Sequence, residues 1–209
     1  LFPHAIHPST KPEAADNPSQ PIYIDGHTHD LIRRNGGEPR QSSLIRLRSG
    51  GFLGISLAFP LNQVTPDDLV RCIHFEKRKI VDEARKENVE IIFVRTFSDS
   101  TTEHRLQILP TLEYFEPFID DSLLILKQLR MNGIASIVLT DDTIGSISVA
   151  ESLAKNKLKR TLSVQGKRIV QELNQQGIRI DISHLCEELQ LEVIRASASP
   201  VYASHANIR

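Results

Sequence analysis

Cysteine is scarce: Cys72 and Cys186 are the only two in 209 residues, and they fall in different expected elements. That excludes a disulfide framework and a cysteine zinc cluster. No excess of basic charge is present, with 25 basic against 26 acidic side chains. The electrostatic footprint of a nucleic-acid binder is therefore missing, and no nucleic-acid partner is expected. No apolar run is long enough to span a bilayer, so no transmembrane segment is expected. Internal repeats are absent. The opening "LFPHAIHPSTKPEAADNPSQ" is rich in Pro, Ser and Asn, a composition that suits a tail or arm over residues 1–20. No signal peptide is legible, and cytoplasmic, periplasmic and secreted placements all stay open.

What is present is a regular alternation over residues 21–209. Strand candidates are "PIYIDGH" (21–27), "FLGISLAF" (52–59), "VEIIFVRT" (89–96), "LQILPTLEY" (106–114), "IASIVLT" (134–140), "IRIDISH" (178–184) and "PVYASH" (200–205). Most are apolar on both faces, as in a buried parallel sheet. Helical patterns separate them. "TPDDLVRCIHFEKRKIVDEARKEN" opens on Thr65 as its N-cap, with Pro66 in the first turn. "DDSLLILKQLRMNG" stops at Asn132-Gly133, and "TLSVQGKRIVQELNQQG" stops at Gly177. "CEELQLEVIRAS" precedes the last strand, and Cys186 there reads as helix packing. Repeated strand–helix units with right-handed crossovers predict an α/β fold, and seven strand candidates favour a (β/α)8 TIM-type barrel over the alternative of an open sheet. A complete barrel takes about 250 residues, so the barrel is expected to be incomplete at the C-terminus, with the natural polypeptide continuing past Arg209.

The C-terminal ends of those strands gather polar side chains. The first strand ends in His27, His29 and Asp30, the fourth in Glu113, the sixth in His184 and the seventh in His205. In a parallel barrel these ends share one rim, where catalytic groups assemble. His27 and His29 lie two apart, so in extended chain they point the same way. Each residue alone has a plain structural explanation: a satisfied strand-end histidine, a loop acid, a turn cap at Asp30. Together, imidazoles from three strands and a carboxylate from a fourth suit zinc or a similar divalent metal. The two oxygens of Glu113 can bridge two ions, which could hold and activate one water. His4, His7, His74 and His104 fit structural or solvent roles.

These blocks resemble the membrane (renal) dipeptidase family of metallopeptidases, relatives of the amidohydrolase-type barrels. The resemblance runs from about Pro21 to the last residue. It is carried by "PIYIDGHTHDL", "LIRLRSGGFLGISLAF", "LPTLEYFEPFIDDSLLILKQLRMNGIASIVLT", "TLSVQGKRIVQELNQQGIRIDISHL" and "SPVYASHANIR". It implies a metal-dependent dipeptidase with one or two zinc ions, acting on a small peptide-like substrate. His27 matches the first metal histidine, Glu113 the bridging glutamate, and His184 and His205 the histidines of a second ion. Family members hydrolyse dipeptides, including some with a D-residue, and some open β-lactams. For self-association, a homodimer is compatible with this picture.

The departures from the family pattern define alternatives. The family places an aspartate where His29 stands, and Asp30 comes one residue later. His29 is the better-aimed ligand by strand geometry; Asp30 is the alternative. "YFEPF" follows Glu113 in place of small glycines, making Tyr114 a pocket residue and Glu116 a lesser candidate for the bridge. Asp141 stands where relatives place a substrate-binding histidine; an acid there repels a carboxylate and attracts an amine. The proton-handling acid of the family is expected beyond Arg209. A catalytically inactive relative serving as a binding or structural module is the competing expectation, as is a shift to another amide, lactam or ester.

Overall fold

The computed structural model describes residues 23–28, 43–60, 64–65, 67–98, 105–113, 115, 122–139, 150–153 and 159–205. The order is β1 (Tyr23–Thr28), α1 (Ser43–Ser49), β2 (Phe52–Pro60), α2 (Leu69–Lys86), β3 (Ile91–Phe93), β4 (Leu106–Glu113) and α3 (Ser122–Met131). There follow β5 (Ser136–Val138), β6 (Ala150–Leu153), β7 (Lys159–Leu162), α4 (Val164–Gln176), β8 (Arg179–Asp181) and α5 (Glu187–Ala196). Six strands form one parallel sheet, running β1-β2-β4-β5-β8 with β3 also on β4. Tyr202 extends it through a parallel bridge to Asp181. These parallel strands form a half-barrel.

β4 is the hub, and all eight of its residues are buried. β2 pairs with it on one edge, from Gly54↔Gln107 to Pro60↔Glu113. The other edge is shared. Leu106 N and Ile108 O bond to β3 and its flank, while Pro110 O accepts from Ala135 beside β5. These three positions have the same parity and so face the same side. β3 therefore stops where β5 begins.

The expectation of strands apolar on both faces needs correction. Alternate residues Ile55, Leu57, Phe59, Leu106, Ile108, Leu112, Ile137 and Ile180 enter the main apolar core with the helices. The opposite face carries Ser56, Gln107, Thr111, Glu113, Ser136 and Asp181, all buried. A buried polar group needs a partner. Ser56 and Thr111 pair at 2.8 Å, and Ser136 pairs with the Tyr202 hydroxyl. Burial and the Asp181 charge push the Tyr202 phenol up, keeping it neutral. Gln107 bonds both the N–H and the carbonyl of Ser98, at 2.8 and 2.9 Å. Gly54 has no side chain because the Phe97 ring occupies that space: an added Cβ would lie 2.6 Å from it. The polar face thus points to a site, and the apolar face holds the fold.

The helices bury one stripe each, as their periodicity predicts. Leu69, Ile73, Ile80 and Ala84 serve α2; Ile169, Val170 and Leu173 serve α4. The outer face of α2 carries pairs such as Arg85–Asp82 and Lys86–Glu83 at 3.1 and 3.2 Å; exposed pairs of this kind add little stability. Thr65 is not the cap of α2. That position falls to Asp68, whose side chain makes no cap bond and instead accepts from the Thr65 hydroxyl and Arg71. Both interactions hold the Asp68 carboxyl below its ordinary pKa, the Thr65 bond most.

Three elements were not expected. α1 forms from "SLIRLRS" and ends at Gly50-Gly51, where Gly51 takes a φ of 80°. β6 and β7 make a separate antiparallel pair, so Thr161 and Leu162 belong to a strand rather than to the following helix. Ser163 divides the two. Its side chain caps α4 by accepting from Gly166 N at 2.9 Å, and Gly177 closes the helix in the left-handed conformation. Ser163→Ala should cost about 1 kcal/mol in a urea melt. Among the described residues, no helix is long and apolar enough to cross a membrane.

Candidate metal centre

The curl of the sheet brings its first and last strands together at the C-terminal rim. Gly26 makes this contact possible, because a Cβ there would sit 3.0 Å from the Ser204 carbonyl. β1 is irregular between Asp25 and Thr28, and irregularities of this kind re-aim side chains. Asp25 Oδ1 accepts from His27 N at 3.0 Å within that bend. The His27 ring then packs on His205, with centroids 4.0 Å apart.

Glu113 closes β4 at the same level and is 2 % exposed. Its Oε1 lies 3.6 Å from His27 Nε2. His184 follows β8 by three residues with φ at 68°, in the left-handed region. That conformation is uncommon for a residue with a Cβ, and strain of this kind collects at functional sites. It turns the chain so that His184 Nε2 lies 2.6 Å from His205 Nε2. Glycine at 184 relieves the strain and alanine does not. His184→Gly should therefore melt at higher urea than His184→Ala, by about 1 kcal/mol, with the imidazole lost in both.

His205 is held by its neighbours. Its N–H donates to Ser183 Oγ at 3.1 Å, and its Nδ1 lies 2.7 Å from Ser204 Oγ. Burial pushes its pKa down, and the nearby His27 and His184 rings push the same way, against Asp181 and Glu113. The ring is thus neutral, the form that ligates metals, at neutral pH. Because the folded-state value lies below the unfolded one of about 6.5, the unfolded chain binds more protons in acid. This contribution to stability is complete above about pH 6.5 and declines as pH falls below it. Urea midpoints of chelator-treated protein on either side of that pH should show the decline.

Two groups of donors have ligand atoms within 4.8 Å of one another: His27, Asp181 and His205, and Glu113, His184 and His205. Two ligand atoms of a tetrahedral zinc ion, each about 2.1 Å from it, sit about 3.4 Å apart. The 2.6 and 3.6 Å separations here bracket that value. Imidazole nitrogen with carboxylate oxygen is a donor set that zinc accepts. The residues present fit a divalent metal. His27, Glu113, His184 and His205 are brought together as the sequence predicts. His29, Asp30, Tyr114, Glu116 and Asp141 lie outside the described residues.

Asp181 was missed. It is fully buried at the end of β8. A lone acid in "IRIDISH", three residues before a predicted ligand, was the available signal.

The family described as Membrane dipeptidase (Peptidase family M19) matches residues 20–209. The chain belongs to this family. Its membership in the membrane dipeptidases agrees with a curated relative, Dipeptidase 3 of Rattus norvegicus, 28% identical over 176 residues. That alignment covers 81% of this chain and 35% of the relative, so the chain spans about a third of that protein's length. Among solved structures, an amidohydrolase from Pseudomonas aeruginosa matches with a TM-score of 0.67 and 21% identity, over 88% of this chain and 52% of that one. A metallo peptidase from Rhodobacter sphaeroides, liganded with a phosphinate mimic of the dipeptide L-Ala-D-Ala, matches with a TM-score of 0.62 and 20% identity. It is covered over 64% of its chain, and this chain over 88%. At these identities the likeness establishes the fold: the half-barrel of this membrane dipeptidase relative is that of the amidohydrolase-like barrels.

Proposed function

We propose that this chain is the metal-holding part of a zinc dipeptidase that cleaves the amide bond of a dipeptide with a metal-activated water. The observation that carries this is the meeting of His27, Glu113, His184 and His205 at one rim from β1, β4 and the segments after β8. His27, His184 and His205 would hold one or two ions. Glu113 reaches toward His27 and also belongs with the His184–His205 pair, a placement suited to a shared carboxylate. When bound, such a metal lowers the pKa of water and stabilises developing oxyanion charge.

The chain's own residues prepare the place. Glu113 supplies the negative charge that offsets a cation in a buried setting. Phe115, two residues after Glu113, is itself buried and belongs to the apolar core. A proton for the leaving amine comes from outside the four residues, each of which is committed to the cation. Asp141 and Tyr114 remain the proposed substrate-facing groups, with Asp141 attracting the amine end. His29, with Asp30 as its alternative, remains a proposed additional ligand. The phosphinate dipeptide mimic in the Rhodobacter sphaeroides relative supports the substrate class.

The test is metal content together with turnover of Ala-Ala-type dipeptides, before and after chelation. Bound zinc, with activity lost to chelator and restored by zinc, is the expected result. A protein that neither binds metal nor hydrolyses dipeptides overturns it. Tight metal binding without turnover across many dipeptides returns the catalytically inactive alternative.

A further inference from the structure

We propose that Asp181 and Ser204 form a positioning pair that fixes the tautomer and the aim of His205. Asp181 ends β8 and is completely buried. A buried carboxylate is costly unless donors surround it. Three do. The N–H groups of Ser183 and Ser204 donate to Oδ1 at 2.9 and 3.2 Å, and the Ser204 hydroxyl donates to Oδ2.

A serine hydroxyl has one proton and two lone pairs. With its proton on Asp181, Ser204 Oγ can only accept from other partners. The partner at 2.7 Å is His205 Nδ1, which must then carry the ring proton. The neutral ring keeps its lone pair on Nε2, the nitrogen beside His184 Nε2. The second lone pair of Ser204 Oγ is shared by His27 Nδ1 and Ser183 Oγ, each 3.4 Å away, which extends the arrangement more loosely to another imidazole. Oδ1 takes two of these donors and Oδ2 the third, so the contacts of Asp181 place it behind Ser204, although it lies close enough to His27 and His205 to be counted with them. The outer partner of a ligating histidine commonly works this way, fixing the tautomer and ring orientation.

The bearing on metal binding rests on the function proposed above; the tautomer does not. Nitrogen NMR of the full chain, metal-free and labelled at histidine, reads which ring nitrogen of His205 carries the proton. The expected result is Nδ1–H in the natural protein. Ser204→Ala should shift the proton toward Nε2 and lower zinc affinity, read by competition with a chromophoric chelator, by about 10–100-fold. Ser204→Thr keeps the hydroxyl and should keep both properties. Asp181→Asn, whose amide can donate to Ser204, should release the hydroxyl proton and also move the ring proton to Nε2. A natural protein already protonated at Nε2 overturns the proposal, whatever the variants do. So does a Ser204→Ala protein with tautomer and affinity unchanged. A natural protein with Nδ1–H but no zinc affinity defeats the proposed function and leaves the pair standing.

Discussion

Glutamine in place of Glu113 should strip the proposed centre of its metal while leaving the fold intact. The two side chains have nearly the same shape, so the buried packing at the end of β4 is retained. What changes is charge. Three imidazoles surround this position, and Glu113 brings a formal negative charge to the group it forms with His184 and His205. Removing it leaves a cation facing neutral donors at a buried position. Losing an outer partner of a ligand costs about 10–100-fold in affinity, and the loss here should exceed that. Zinc competition titration reads it, and a urea melt of the metal-free protein should show little change. Unaltered zinc affinity in Glu113→Gln would remove this residue from the ligand set.

The largest effect on stability is expected at Phe59. Its side chain is fully buried, among the largest in the core. It sits on the apolar face of β2, opposite Leu112 in the register with β4. Phe59→Ala removes a ring and leaves a cavity in a packed layer, at a cost of about 3–5 kcal/mol. Domains have only about 5–15 kcal/mol in total. The urea midpoint should therefore fall far, with aggregation or proteolysis in cells as the visible outcome. A midpoint close to that of the natural chain would show that this layer is loosely packed.

The seven strand candidates all lie where strands or strand-like pairing occur, because each is a short stretch with apolar residues between turn signals or helical patterns. "VEIIFVRT" shrinks to Ile91–Phe93 because β5 takes over the edge of β4 that it would have continued along. That competition is tertiary and leaves no local mark. The β6–β7 pair was illegible for a different reason: "AESL" and "KRTL" have neither alternation nor β-branched density. α1 was hidden by the glycines after it, which read as the approach to a strand. At the site, strand-end position proposed His27, Glu113, His184 and His205, and the fold brings these four to one rim. Position alone could not select Asp181, whose importance comes from Ser204, 23 residues later. Spacing identifies what can bind; only three-dimensional contact identifies what holds the binder in place.

The seam between Gly26 and Ser204 also has a consequence for folding. A cation gripped by His27 on one side and His205 on the other would be a removable staple, tying together segments 177 positions apart where Ser204 meets His27. Fastening so distant a pair restricts the unfolded chain, and loops of that length gain most in principle from being closed. Any ligand that binds only the folded state adds stability in proportion to its excess over its dissociation constant. Chelation should thus loosen this rim first, exposing β1 to proteases, while β4 keeps its neighbours on both edges.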